Sequence, residues 1–291
     1  MSAYKVVVAS SITPSAKARL EAAAEIIPFE RLAEADGVYL DSELRVDAAF
    51  LDSAPRARVI ASKSVGYDLV DLAELKKRGV PFSNARGSLT ETVADLVFCL
   101  VVMIMRDILR GIDWVRTGKW MEDQPPLAVD PAGKILGIVG LGAIGSAIAR
   151  RARAAGMEIA YYNRHRRADD GELGARYLAF DDLLREADCV VVMIPLSAES
   201  KGMFGAREFD LMKPTAFFVN GARGRIVDTQ ALYEALVTKQ IAGAATDVTD
   251  PEPLPPNHPL LALENAIVTP HIASATVETR NRMAHLAVEN L

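Results

Sequence analysis

The chain has 291 residues, 50% hydrophobic and 24% charged, a balance that excludes a disordered or collagen-like chain. At about 100–200 residues per domain, two domains are expected. Thirty-three Lys and Arg against thirty-eight Asp and Glu leave a net charge of -5, which gives no reason to expect nucleic acid as a partner. The longest uninterrupted apolar run, 96–105, is ten residues, and a membrane span needs about 20. Only two cysteines, Cys99 and Cys189, are present, so a disulfide framework is excluded, no metal site is expected and the compartment is a reducing one. The N-terminus runs almost directly into a strand-like segment without a charged region and apolar core ahead of it. No secretory signal is read there, and a cytoplasmic location is expected.

Short β-branched runs alternate with stretches rich in Ala, Leu and Arg, the pattern of parallel sheets wrapped by helices. The first half predicts strands at 5–9, 25–29, 37–40, 58–62 and 80–83, with Pro14 placed to open an alanine-rich helix over 15–24. A long helical stretch follows over 92–116. Its first part is apolar on every side and is expected to be buried between domains or subunits. Segment 118–133 reads as a connector. A second series of strands follows at 135–139, 158–162, 176–179, 189–194, 216–220, 243–247 and 266–269. Two sheets of this size indicate two α/β domains, with the boundary in or after the long helical stretch. Four prolines within 250–256 make that segment a stiff loop.

The first chemical signal is Gly140-Leu141-Gly142-Ala143-Ile144-Gly145. A G-x-G-x-x-G pattern alone is weak evidence. Here it follows the strand 135–139, opens the helix 146–155 and precedes another strand near residue 158, the setting of a dinucleotide site. Gly140 permits the tight turn, Gly142 lets the backbone approach a pyrophosphate, and Gly145 lets helix and strand pack closely. The helix N-terminus then turns amide groups and partial positive charge toward the phosphates. An NAD site usually carries Asp or Glu about 20 residues onward. That position is Asn163, followed by Arg164, His165, Arg166 and Arg167. Guanidinium groups bind a 2′-phosphate that a carboxylate would repel, so NADPH is favoured over NADH. The other reading of this loop is a solvated basic segment countered by Asp169 and Asp170.

Three more residues stand just past strands in the second half, where doubly wound sheets bind ligands. Arg223 follows the strand 216–220, Glu252 lies in the proline-stiffened loop, and His271 follows the strand 266–269. Taken singly, they read as a surface charge, a loop carboxylate and a buried ring. Together beside a dinucleotide motif they point to one crevice.

Over essentially its whole length the chain resembles the D-isomer-specific 2-hydroxyacid dehydrogenases, and among them the glyoxylate/hydroxypyruvate reductases. The resemblance is carried by Ser64-Val65-Gly66-Tyr67-Asp68, by the glycine motif and by Asn220-Gly221-Ala222-Arg223-Gly224. The long tail from Asp247 through Glu252 to Leu260, with Thr269-Pro270-His271-Ile272-Ala273-Ser274-Ala275, is its most particular part. It implies two Rossmann-like domains with the active site in the cleft between them. These would be a flavodoxin-like substrate domain at 1–95, with 276–291 available to rejoin it, and a dinucleotide-binding domain at 96–275. Arg223 would hold the substrate carboxylate and carbonyl oxygen, His271 would protonate that oxygen, and Glu252 would orient His271 and favour its protonated form. Val65 and Gly66 would grip the carboxylate through their backbone, and Ser274 would sit with the substrate and the nicotinamide end. Cofactor contacts would come from the glycine motif, Asn163, Arg164, Arg167, Pro195, Gly221, Asp247 and Ala273. A homodimer is expected, without nucleic acid or membrane.

Departures are few. Ala273 stands where the family often has Gly, and the chain stops at Leu291 in a helical stretch where relatives continue. Trp114 and Trp120 read as packing residues rather than substrate contacts. Reduction of a larger 2-keto acid such as 2-ketogluconate is the nearest alternative. A formate dehydrogenase is disfavoured because Glu252 stands where those enzymes have Gln. A nucleotide-sensing corepressor shares the fold, but its long polar tails and docking segments are missing.

Overall fold

The computed structural model describes residues 4–291. The chain divides into two compact units, one holding the residues up to Thr90 with Ser274–Leu291, the other Glu91–Ala273.

In the smaller unit, β1 (Tyr4–Val8), β2 (Ala24–Ile27), β3 (Gly37–Leu40), β4 (Val59–Ser62) and β5 (Phe82–Ser83) form an all-parallel sheet. Its order is β2-β1-β3-β4-β5. Helices α1 (Pro14–Glu21), α2 (Ala48–Ser53) and α3 (Leu72–Arg78) connect the strands. Their starts are written in the sequence. Pro14 sits in the first turn of α1, while Asp47 and Asp71 accept hydrogen bonds from the amides of Phe50 and Glu74 at the starts of α2 and α3. The helix expected over 15–24 stops at Glu21, because Ala24 already pairs with Tyr4 as the first residue of β2.

The larger unit opens with α4 (Thr90–Met105) and α5 (Ile108–Arg116). The single helix expected over 92–116 is therefore two. Asp107 takes a left-handed φ of 51° and breaks the run, a conformation that no glycine or proline signalled. α4 buries Val93, Ala94, Val97, Leu100, Val101, Ile104 and Met105, whereas Cys99 is exposed.

The second sheet follows: β6 (Ile135–Val139), α6 (Ala143–Ala154), β7 (Glu158–Tyr162), β8 (Ala175–Tyr177), α7 (Phe180–Glu186), β9 (Cys189–Val192) and α8 (Ala206–Leu211). It is completed by β10 (Phe217–Asn220), α9 (Thr229–Val237), β11 (Gly243–Thr246) and β12 (Ala266–Val268). All seven strands are parallel, in the order β12-β11-β10-β9-β6-β7-β8. The chain leaves β6 toward β7 and β8, then returns to β9 on the other side. The loop after β6 thus stands at the switch point where such sheets bind ligands. Strands β9, β10 and β11 are buried at every residue, as central strands of a parallel sheet covered on both faces are. Phe218 anchors the core, its ring 5.0 Å from Phe204 and 5.4 Å from Phe209 between centroids. Cys189 is fully buried in β9, which pushes its thiol well above the usual range and marks it as a packing residue. Finally α10 (Val277–Asn290) returns to the smaller unit and packs on α1 and β4. Among the described residues, no helix is long and apolar enough to cross a membrane, and no three His, Cys, Asp or Glu are grouped to hold a metal.

Candidate active site

The glycine turn is built by close approach. A Cβ on Gly140 would lie 2.5 Å from the Met193 oxygen, and one on Gly145 would lie 2.3 Å from the Gly140 oxygen. Gly142 is the opposite case, with nothing beyond its chain neighbours within 4 Å of where its Cβ would be. It caps α6 at an exposed turn. Among the described residues, the amides of Gly142, Ala143 and Ile144 donate to no acceptor. These are the unpaired donors of a helix start, opening onto free space, and they fit a pyrophosphate. Leu141 differs. It is buried, and its amide donates to Asn163 Oδ1 at 2.7 Å, so it forms the wall of the turn.

The basic loop after β7 separates into braces and one outward guanidinium. Arg167 donates to Asp169 from Nε at 2.7 Å and to the Leu141 carbonyl from Nη1 at 2.7 Å. Arg166 donates to Asp170 Oδ2 at 2.8 Å. These contacts hold the Asp169 and Asp170 carboxyls below the usual carboxylate range, chiefly through the arginine hydrogen bonds. Arg164 is exposed and makes no hydrogen bond or ion pair among the described residues. Two of the three arginines are thus taken up by local carboxylates.

Arg223, Glu252 and His271 all belong to the larger unit, on loops leaving the carboxyl ends of β10, β11 and β12. Arg223 is half-buried, and its Nη1 donates to the Ala222 carbonyl at 2.7 Å. The turn that presents it is held by Asn220, whose Oδ1 accepts from the Ala222 amide and whose Nδ2 donates to the Arg223 carbonyl, each at 3.0 Å. Gly224 then lets the chain pass the Glu252 loop, since a Cβ there would lie 1.9 Å from the Thr249 oxygen. Nδ1 of His271 lies 2.6 Å from Glu252 Oε1, and Glu252 Oε2 accepts from the Thr249 amide at 3.2 Å. The His271 side chain is 44% exposed. It is therefore not a buried ring.

The remaining expected residues are spread over both units. Gly221 follows β10 and faces Val97, while exposed Pro195 accepts from the Ser200 hydroxyl at 2.8 Å. Asp247 and Ala273 are buried, and Ser274 begins the return to the smaller unit. Val65 and Gly66 follow β4 in that unit. Their amides carry no acceptor among the described residues, and the Val65 carbonyl accepts from Asn84 Nδ2 at 2.8 Å. Trp114 is half-buried and Trp120 is 58% exposed. Sequence reasoning passed over Asn220 and Thr269. The available signal was a polar residue closing or following an otherwise apolar buried strand.

Residues 98–273 match the family model described as the NAD binding domain of the D-isomer specific 2-hydroxyacid dehydrogenases. The glyoxylate reductase of Korarchaeum cryptofilum is 44% identical over 267 residues, covering 90% of this chain and 80% of its own. A solved structure from Thermus thermophilus superposes with a TM-score of 0.92 at 40% identity, covering 99% of this chain and 95% of that one. An NADPH-dependent glyoxylate/hydroxypyruvate reductase from Sinorhizobium meliloti, solved with NADP and malonate, gives a TM-score of 0.90 at 32% identity over 99% and 92%. The dinucleotide turn, the fold and the extent of these matches agree, and the chain belongs to the D-isomer specific 2-hydroxyacid dehydrogenases, a family of oxidoreductases with a nicotinamide-nucleotide-binding domain.

Proposed function

We propose that the protein reduces a small 2-keto acid, glyoxylate or hydroxypyruvate first, to the D-2-hydroxy acid with NADPH. The observation that carries this reading is the 2.6 Å pairing of His271 with Glu252 on a loop neighbouring Arg223. The names of the relatives from K. cryptofilum and S. meliloti support the substrate class. The glycine turn and Arg164 would hold the dinucleotide, whose nicotinamide would supply the hydride for the carbonyl carbon. Arg223 holds the carboxylate and the carbonyl oxygen, and it opposes the charge that grows on that oxygen as its π electrons shift there. His271 delivers the proton, leaving a hydroxyl on carbon 2. Glu252 fixes the ring by its Nδ1 side. We assign the unpaired amides of Val65 and Gly66 to the substrate carboxylate, and Ser274 to the same substrate.

The cofactor assignment rests on Arg164, the loop arginine without a hydrogen-bonded partner, while Arg167 braces the glycine turn. Arg164→Gln is expected to raise KM for NADPH by about tenfold to a hundredfold, the worth of a charged hydrogen bond, and to leave NADH within threefold. Arg167→Gln is expected to weaken both cofactors, because it releases the Leu141 carbonyl. Initial rates with each cofactor test this. A wild-type enzyme that uses NADH as well as NADPH, or an Arg164→Gln enzyme that keeps its preference, would overturn the NADPH assignment.

The homodimer is assigned to α5. Ile108, Leu109, Ile112 and Val115 are 40% to 61% exposed along that helix, and it buries no residue. An exposed apolar face of this extent marks a contact surface. In sedimentation velocity the wild type is expected as a dimer and Ile112→Glu as a folded monomer. A monomeric wild type would refute the assignment.

A further inference from the structure

In the smaller unit the strand order β2-β1-β3-β4-β5 places a switch point between β1 and β3, where a doubly wound sheet opens at the carboxyl ends of its strands. One side chain spans that point. Lys63, the first residue past β4, is 8% exposed, and a lysine is almost never buried to that extent unless it is paired. Its Nζ donates to the Ser11 carbonyl at 2.8 Å and to Ser11 Oγ at 2.6 Å, and it lies 3.7 Å from Asp41 Oδ2. Ser11 lies in the loop after β1 and Asp41 directly follows β3, so the ammonium joins the ends of three strands. Burial pulls its pKa below the usual lysine range, and the Asp41 carboxylate opposes that pull. The chain then turns through Ser64 into Val65 and Gly66. The Lys63 amide donates to the Leu40 carbonyl at 2.9 Å, and the Ser64 carbonyl accepts from the Ala85 amide at 3.1 Å. Ser64 Oγ accepts from the Ser42 amide at 3.1 Å. These contacts hold the turn against β3 and the segment after β5, and the Lys63 side chain ties it to the β1 side.

Resting on the assignment of the Val65 and Gly66 amides to the substrate carboxylate, we infer that Lys63 is the positioning residue that aims those two amides. A pair of N–H groups meets one carboxylate well only where the turn that carries them is fixed before the ligand arrives. The kinetic signature follows from the chemistry. The substrate carboxylate carries the same charge before and after the hydride is delivered, so its grip is uniform binding, read in KM rather than kcat. This separates Lys63 from Arg223, which meets the oxygen whose charge grows. It also separates a positioning lysine from a merely structural one, whose loss lowers the folded fraction and the apparent kcat at unchanged KM.

Steady-state kinetics with glyoxylate and the NADPH dissociation constant, measured over a double-mutant cycle, test this. Lys63→Met keeps the stem and removes the ammonium. It is expected to raise KM for glyoxylate by about ten- to a hundredfold, with kcat and the NADPH constant within about threefold of wild type. Ser11→Ala keeps the Lys63 charge and the Ser11 carbonyl but deletes the hydroxyl acceptor at an exposed position, which guards against misfolding of Lys63→Met. It is expected to raise KM by about three- to tenfold, and by less than about twofold in the Lys63→Met background, where the tie is already gone. Lys63→Met with wild-type KM, or with a fall in kcat alone, would make the lysine a structural residue. Ser11→Ala with wild-type KM would show that the charge acts on the substrate anion from a distance, not through the turn. Equal effects of Ser11→Ala in both backgrounds would show that Ser11 acts without Lys63. Each of these overturns the inference. Gly66→Pro, which removes one of the two N–H groups outright, separates the inference from the assignment beneath it. A wild-type KM there removes the amide assignment and the inference together, whereas a raised KM there with an unmoved Lys63→Met overturns the positioning role alone. A wild type that turns over neither glyoxylate nor hydroxypyruvate overturns the proposed function itself, a failure seen before any variant is made.

Discussion

Replacing His271 with glutamine is expected to lower kcat by about 10²–10⁴-fold, the usual contribution of general acid catalysis, with NADPH binding retained. Glutamine keeps much of the side-chain size and a hydrogen-bonding end but has no proton to titrate. The structure gives the reason to expect the large effect. The ring is held at Nδ1 by a carboxylate 2.6 Å away and remains partly exposed, which leaves Nε2 as the nitrogen not taken up by Glu252. A variant within threefold of wild type would remove the acid from the mechanism. Glu252→Ala is the companion measurement. It removes the partner that holds the ring at Nδ1, so kcat is expected to fall by about tenfold to a hundredfold with NADPH binding retained. An unchanged kcat would contradict the pairing.

Arg223→Lys is expected to cost at least about 10²-fold in kcat/KM for glyoxylate, or roughly 2.7 kcal/mol. A 2-keto acid presents a planar carboxylate beside a carbonyl, and a guanidinium engages both through parallel hydrogen bonds. Lysine keeps the charge and loses the fork. The carbonyl oxygen gains negative charge as the hydride arrives, so kcat should fall along with a rise in KM. The loop geometry sharpens this. Asn220 fixes both sides of the turn at Ala222 and Arg223, which leaves the main chain little freedom to bring a differently shaped cation into place. NADPH affinity should stay within a few-fold, and a lysine variant with unchanged kcat/KM would place the substrate clamp elsewhere.

The strands were legible because a parallel strand buried on both faces must be apolar throughout. Cys189–Val192 and the first three residues of Phe217–Asn220 announce themselves by composition alone. The glycine turn was legible because its backbone tolerates no Cβ at Gly140 or Gly145. What stayed hidden depends on contacts between distant residues or on exceptions to local preference. The break at Asp107 is a left-handed aspartate with no glycine or proline to mark it. Short helices such as α2 and α8, with six residues each, hold too few turns for a period to show. The roles of Arg166 and Arg167 turned on whether Asp169 and Asp170 would claim them, and the sequence reads equally well either way. Asp247 could be noticed as an acid past a strand. Its hydrogen bonds to Thr269, His271, Ile272 and Ala273 reach 22 to 26 positions onward, a separation at which sequence spacing says nothing of contact.

The most direct measurement is the reaction of the purified protein with hydroxypyruvate and NADPH, following cofactor oxidation and resolving the enantiomers of the glycerate formed. The expected result is one NADPH consumed per keto acid and D-glycerate as the product, with His271→Gln slowing the same conversion by the factor given above. Formation of L-glycerate, or intact NADPH binding with no turnover of hydroxypyruvate or glyoxylate, would contradict it.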